Sequence, residues 1–403
     1  MKIKLSQAFD LQMGKTPARN NAAYWNGSKK WVSIADIGNS GKYISDTKEC
    51  ITDRGVRESG IKAVPKETVI MSFKLSIGKT AITAEELYTN EAIMAFIDKG
   101  IYAIDPTYFY HLCCGKNWTA GTNKAVMGLT LNKATISGIE INIPDIAEQR
   151  KIAARLDRLD TVIADRQLQL EYLDYLVKSR FIELFGVYPL NPKGWETATI
   201  RDIVTDVRYG SSRPAVDGGK YPYLRMNNIT YGGELDLTDT KHIDIPDNEL
   251  DKCTVRRGDV LFNRTNSKEL VGKTCVYNRD EMMVLAGFVI RVRVTERILP
   301  EFLSAFLNTD FSKQMLLGMC KAAIGQANIN AQEMQDIGIY LPPTELQRQF
   351  VQFKEQTDKS KYYSAIIYRK SGEPYCQSEK RSICIYKIFS RCSIWFPITY
   401  RIG

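Results

Sequence analysis

The chain of 403 residues is written twice, and this repetition constrains its fold more than any other feature. The first copy opens Lys4-Leu5-Ser6-Gln7-Ala8-Phe9-Asp10 and reaches Met13-Gly14-Lys15-Thr16-Pro17. The second opens Thr199-Ile200-Arg201-Asp202-Ile203-Val204-Thr205 and reaches Tyr209-Gly210-Ser211-Ser212-Arg213-Pro214. Next come Trp31-Val32-Ser33-Ile34-Ala35-Asp36-Ile37 and Tyr223-Leu224-Arg225-Met226-Asn227-Asn228-Ile229. Each copy then has an apolar run and a Gly-Lys-Thr triplet, at 78–80 and 272–274. Each closes on an apolar strand, a proline and a Gln-Arg pair: Ile143-Pro144 before Gln149-Arg150, and Leu341-Pro342 before Gln347-Arg348. Five matched blocks in the same order, at a period of about 190–200 residues, exceed any solenoid repeat and imply duplication of a whole domain.

Within each copy the pattern is mixed. Short β-branched and aromatic runs at 68–73 and 289–294 predict strands, and Gly/Asn/Asp/Ser clusters at 38–41 and 217–219 predict turns. An apolar helical face over 300–317 comprises Phe302, Leu303, Phe306, Leu307, Phe311, Met315 and Leu316. Each copy therefore reads as an α+β globule of domain size, about 140–150 residues.

Between the copies the pattern changes. Residues 147–184 contain no Pro or Gly, and Ile152, Leu156, Leu159, Ile163, Leu170, Leu173, Val177 and Leu184 recur at alternating intervals of four and three. Arg166 and Arg180 share that seam. Such a heptad stripe suits packing along another helix, and the helix would extend roughly 55–60 Å. After the second copy a similar helix begins at Thr344, with Phe350 and Phe353 on its seam. The pattern fails after Lys361, where six tyrosines and no leucine occur among 42 residues, and Gly372 and Pro374 oppose a continued helix.

Composition narrows the partners only a little. The net charge of +9 permits an acidic partner, but residues 362–403 supply +5 of it and the other 361 residues only +4. Nine cysteines at irregular spacing argue against a disulfide framework. With His111 and His242 the only histidines and no C-x-x-C pair, a zinc site has little to work with. Cys113-Cys114 reads as buried packing. The start Met1-Lys2-Ile3-Lys4 has no apolar leader behind it, and no run of membrane-spanning length occurs, so no membrane association and a cytoplasmic location are expected.

Two copies of one unit, each followed by a helix starting near Pro-x-x-x-x-Gln-Arg, resemble the specificity subunit of type I restriction–modification systems. The blocks Gly14-Lys15-Thr16-Pro17, Tyr24-Trp25-Asn26-Gly27, Trp31–Ile37, Arg256-Arg257-Gly258-Asp259-Val260-Leu261-Phe262 and Ala323-Ile324-Gly325-Gln326-Ala327-Asn328-Ile329 are similar to that family's target recognition domains. The resemblance covers residues 1 to about 361 and implies an α+β chain with two similar target recognition domains, separated by long coiled-coil helices in a pseudo-two-fold duplication. The implied division is a first target recognition domain at 1–145, a first spacer helix at 146–187, a second recognition domain at 188–343, the start of a second spacer helix at 344–361, and an atypical tail at 362–403. Each domain would read one half of a split double-stranded DNA target. Antiparallel helices would set the gap and hold two methylation subunits, which bind S-adenosylmethionine and methylate adenine. A cleavage and translocation subunit would add ATP- and Mg-dependent chemistry, leaving no cofactor and no catalysis to this chain.

DNA chemistry then selects candidates. Lys, Arg and Ser/Thr fix position on phosphates, while Arg, Asn and Gln read base edges. The first unit offers Lys15, Arg19, Lys74, Lys79, Lys116, Trp118, Asn123 and Lys124. The second offers Arg213, Arg225, Asn227, Asn228, Asn263, Arg264, Asn266, Lys268, Gln326 and Asn328. The seam residues Ile152, Leu156, Leu159, Ile163, Leu170, Leu173, Val177, Leu184, Phe350 and Phe353 mark the partner-binding helices. Neither Gly-Lys-Thr triplet has the earlier glycine of a phosphate loop.

Rival readings remain. An adenine methyltransferase would need an Asn/Asp-Pro-Pro-aromatic loop, but Pro342-Pro343 is flanked by Leu341 and Thr344. Asp259 and Glu269 with Lys273 lie in loose range for a metal-dependent nuclease, although surface charge explains them more simply. A protein-binding scaffold fits two globules on a helical strut. A frame change or recombination junction near Lys361 would instead leave a silent allele with a disrupted second helix.

Overall fold

The chain's structure, a computed structural model, describes residues 1–118, 131–320 and 327–372, with side chains described as far as Lys361. It divides into two compact units, the first within Met1–Leu168 and the second Gln169–Tyr363. Candidates Asn123, Lys124 and Gln326, and the tail from 373 onward, lie outside the described residues.

In the first unit a sheet runs in the order Phe9–Met13, Ile93–Asp98, Val69–Ser72, Thr80–Thr83, with Tyr43–Ile44 as a fifth strand. In the second, the order is Val204–Tyr209, Val289–Val294, Val260–Asn263, Thr274–Val276. These are the same four strands of the repeat in the same spatial order. The duplicated blocks also pair alike. Trp31 and Val32 run parallel to Tyr88 and Thr89, and Tyr223 and Leu224 run parallel to Val284 and Leu285. Lys2–Lys4 closes antiparallel on Glu140–Asn142, and Glu196–Thr199 on Gly338–Leu341.

The continuous apolar runs follow from burial on both faces. Successive side chains of a strand point to opposite sides, so Val69, Met71 and Phe73 join one core with Phe109, while Ile70 joins another with Val32 and Ile37. In the second unit Val260 and Phe262 pack with Phe302, and Leu261 with Leu224 and Ile229. The Gly-Lys-Thr triplets are hairpin turns. Gly78 at φ +90° and Gly272 at φ +76° adopt the left-handed backbone such a turn needs. Their N–H groups donate to Ser72 O (2.9 Å) and Asn263 O (2.8 Å), and the Thr80 and Thr274 hydroxyls close back onto the same glycines.

The first long helix, Ile146–Phe185, spans 40 residues. Leu156 and Ile163 are buried with Ile152 and Leu159 beside them, Val177 and Leu184 pack against the second unit's core, and Leu170 and Leu173 are half-buried. The second long helix, Thr344–Gly372, buries Phe350, half-buries Phe353 and continues past Lys361, where the sequence pattern had failed. The compact units divide inside the first long helix, between Leu168 and Gln169. The single helix expected over 300–317 is two, Pro300–Leu307 and Asp310–Met319. Asn308 ends the first, and the Thr309 side chain caps the second by accepting from Ser312 N. Cys113 is buried as expected, whereas Cys114 is only half-buried. No helix among the described residues is long and apolar enough to cross a membrane.

His111 fastens the first unit's helices together. Its Nε2 meets Asp157 Oδ1 at 2.8 Å, and Lys42 Nζ donates to Asp157 Oδ2 at 2.8 Å. Burial pushes the His111 pKa below its ordinary 6.5. The Asp157 bond and the Asp160 field oppose that, and Lys42 adds to it. The unfolded chain therefore takes up the proton first, so His111 contributes stability above pH 6.5 that is lost as pH falls below it. Burial opposes ionisation of Asp157, but the Lys42 and His111 bonds together outweigh it and hold its carboxyl below 3.8, so its contribution persists to lower pH. The first unit's melting temperature should fall between pH 7 and 5 in wild type, and His111→Phe should flatten that slope. An unchanged slope would remove His111 from the account.

Candidate nucleic-acid interface

The two units share a hydrogen-bond frame that positions their loops. Gln149 is fully buried, accepts from Asp105 N (2.9 Å) and donates to Ala103 O and Pro144 O. Gln347 repeats this with Leu299 N, Arg297 O and Pro342 O. Each glutamine thus ties a helix start, its preceding loop and the closing proline to the long helix. Gly14 and Gly210 occupy equivalent gaps, where an added Cβ would lie 2.1 Å from Thr89 O and from Leu285 O respectively.

On this frame the first unit's candidates are dispersed. Lys15 is exposed, with its ammonium on the Ser59 carbonyl. Arg19 is exposed and paired through both terminal nitrogens with Glu49, its guanidinium 4.0 Å from the Trp25 ring centre and 4.9 Å from that of Trp31. Lys74 is half-buried 5.3 Å from the Phe73 ring, and Lys79 is exposed beside Gly38. Lys116 is half-buried, and burial pushes its pKa down. Trp118 requires correction as a DNA contact: it is buried against Phe96 and donates its indole N–H to Cys113 O at 2.8 Å, so its ring fills the core.

In the second unit Arg213 pairs with Glu249 (2.7 Å) and Arg225 with Asp239 (2.9 Å). Asn227 and Lys268 are exposed. Two further candidates are corrected. Asn228 is buried, accepting from Arg225 N and donating to Asp236 O, so it builds a turn. Asn263 is also buried. With its amide oriented to satisfy its surroundings, it donates to the Thr265 and Phe288 carbonyls and accepts from Asn266 Nδ2.

The remaining candidates converge. Arg264, Asn266 and Asn328 meet where Thr265–Asn266 pairs with Ala327–Asn328. Arg264 Nη2 donates to Asn328 Oδ1 (3.2 Å), and its guanidinium lies 4.7 Å from the Tyr209 ring centre. Phe288, whose carbonyl accepts from Arg264 N, stands 53% exposed beside them. Sequence reasoning missed Tyr209 and Phe288. The signal for Tyr209 was its place immediately before Gly210 in a duplicated block. The nuclease constellation is otherwise occupied: Asp259 accepts from Arg256 N and Arg293, Lys273 donates to Met226 O, and Glu269 is exposed.

The first long helix also carries a second stripe away from its seam, in which Leu168, Tyr172, Tyr175, Leu176 and Ile182 are exposed.

A family model described as the type I restriction modification DNA specificity domain matches residues 1–172 and again 192–363. The MjaIX specificity subunit of Methanocaldococcus jannaschii is 27% identical over 259 residues, covering 59% of each chain. The EcoKI specificity subunit of Escherichia coli K12 is 25% identical over 242 residues, covering 56% of this chain and 52% of its own length. The chain thus spans little more than half the length of these relatives. Among solved structures, a chain of a type I R-M system studied for complex assembly and conformational transition aligns at a TM-score of 0.62, with 18% identity and 98% of both chains covered. The type I restriction-modification S subunit from M. genitalium aligns at 0.53, with 13% identity and 95% of both covered.

Proposed function

The chain belongs to the type I restriction modification DNA specificity domain family, carrying that domain twice, and from this we propose that it reads double-stranded DNA without catalysing a reaction itself. Each unit takes one half of a bipartite target. The observation that carries this reading is one hydrogen-bond frame, repeated in both units, that presents different side chains at equivalent positions. Leu131 N donates to Phe73 O in the first unit, and Ile329 N to Arg264 O in the second. A buried Phe73 therefore stands where the second unit has Arg264. Identical frames with dissimilar tips suit a reader of two dissimilar half-sites.

The long helices set the spacing between the halves. Their seams are used internally, so methylation subunits dock on outward-facing side chains instead, and the Leu168 to Ile182 stripe supplies apolar ones. S-adenosylmethionine belongs to those subunits, and ATP with Mg to a cleavage subunit.

Co-expression with a methylation subunit, followed by mapping of methylated adenines, tests the reading: methylation at one split motif is the expected result. The purified chain should also lose duplex affinity by about 10³-fold between 50 and 200 mM salt, because phosphate contacts release counterions. Salt-independent binding to protein and none to DNA would favour the scaffold reading.

A further inference from the structure

We propose that Arg264 is a base-reading residue of the second unit, donating both arms of its guanidinium to the N7 and O6 of one guanine in the major groove. This rests on the DNA-recognition reading above and names a residue and a base within it.

The side chain is held in one orientation. Its backbone is fixed from both sides, with Arg264 N donating to Phe288 O at 3.0 Å and Ile329 N donating to Arg264 O at 2.9 Å. Its guanidinium lies against Tyr209, whose hydroxyl is itself anchored by Ala331 N at 2.8 Å. Asn328 takes one of its N–H groups. Ordering a long side chain before binding removes an entropic cost that a mobile arginine would meet on association.

The charge is also available. Arg19, Arg213 and Arg225 each have a carboxylate partner, whereas Arg264 has none among the described residues. A guanidinium carries five N–H donors. Among the described residues only the bond to Asn328 is made; Nε is buried, so the fork offered to a base is the Nη1 group and the second N–H of Nη2. A rigid planar fork with free donors matches a pair of acceptors on one edge, and guanine presents such a pair in the major groove. A phosphate contact would need only a charge in range, with no such fixation.

The equivalent position in the first unit supports the assignment. Phe73 there is buried in the core, so this point of the frame varies between the copies while the surrounding bonds are kept. The first unit reads its half-site with other residues.

The test uses the full chain co-assembled with methylation subunits and a randomised duplex library, comparing wild type with Arg264→Ala and Arg264→Lys. The inference expects discrimination at one guanine to fall by about 10- to 100-fold in both variants, with the other positions of both half-sites unchanged. Lysine keeps the charge but not the fork, so it should not restore the preference. Melting of the second unit controls for folding, and Arg264→Lys retains most of the side chain if alanine disturbs Tyr209. Affinity lost evenly over all sequences and restored by lysine would make Arg264 a phosphate contact and overturn the inference. Unchanged discrimination would overturn it too. A wild-type chain with no sequence preference would overturn the DNA-recognition reading itself, and this inference with it.

Discussion

Truncating Phe302 to alanine should destabilise the second unit by about 3–5 kcal/mol, the range for removing a buried aromatic ring. The ring is fully buried among elements far apart in sequence. Phe181 stacks on it at 5.4 Å, Phe185 meets it edge-on at 4.8 Å, and Tyr340 lies at 6.3 Å. Phe350 closes the cluster against Phe181 and Phe185 at 5.2 and 5.7 Å. The cluster around this ring therefore joins the end of the first long helix, the start of the second and the closing strand. A domain is stable by only about 5–15 kcal/mol, so this loss takes a large share of what the second unit has. The first unit has its own aromatic core of Phe9, Phe96 and Phe109. Calorimetry should show the second unit's transition lowered by roughly 6–20 °C, with the first unit's transition in place. A shift below 2 °C would mean that the cluster contributes little. On the proposed function, the variant should lose recognition of one half-site before the other.

The duplication was legible because it is written in residue types, and the matched blocks do occupy matching strands. The repeat also carries the role of Asn228. It sets Asn228 opposite Asp36, and Ser33-x-x-Asp36 is a capping pattern in which Ser33 and Asp36 satisfy each other's backbone N–H groups. Asn228 bonds Arg225 N in the same way, so its turn-building role could have been read from its repeat. Trp118 and Asn263 could not be sorted so easily, because an amide or indole that reads a base and one that satisfies a core are the same residue type. Burial separates them, and burial depends on tertiary contacts such as Cys113 O and the Phe288 carbonyl. The heptad seam was legible from spacing. Phe181 and Phe185 were not, since they lie one position off it and are buried in the second unit's core, against Phe302 as well as Phe350 of the second long helix. Gln149 and Gln347 mark a boundary in the sequence, but spacing alone cannot show which distant carbonyls a glutamine ties together.

The same distinction decides Asp259, for which alanine should cost about 3–5 kcal/mol, the range for breaking a buried ion pair. Asp259 is 1% exposed and accepts from Arg256 N at 2.9 Å, Arg293 Nε at 2.8 Å and Arg293 Nη2 at 3.3 Å. Asp206 continues the network, with Arg291 Nη2 at 2.7 Å and Arg293 Nη1 only at 4.0 Å. Without Asp259, Arg293 would keep just that longer contact, and the Arg256 N–H would lose its acceptor. Asparagine should cost less, because it can still accept from Arg256 N while losing the charge. Glu269→Gln should change neither melting nor methylation, because Glu269 is exposed. A metal-dependent nuclease would instead require Asp259, Glu269 and Lys273 to fail together. Melting of the second unit, measured alongside Mg-dependent cleavage by the purified chain, separates these accounts. Destabilisation by Asp259→Ala with Glu269→Gln silent fits an ion pair that holds the Arg256–Asp259 turn to the sheet. Cleavage by wild type that either Asp259→Asn or Glu269→Gln removes, with melting unchanged, would make the carboxylates catalytic and overturn the non-enzymatic reading.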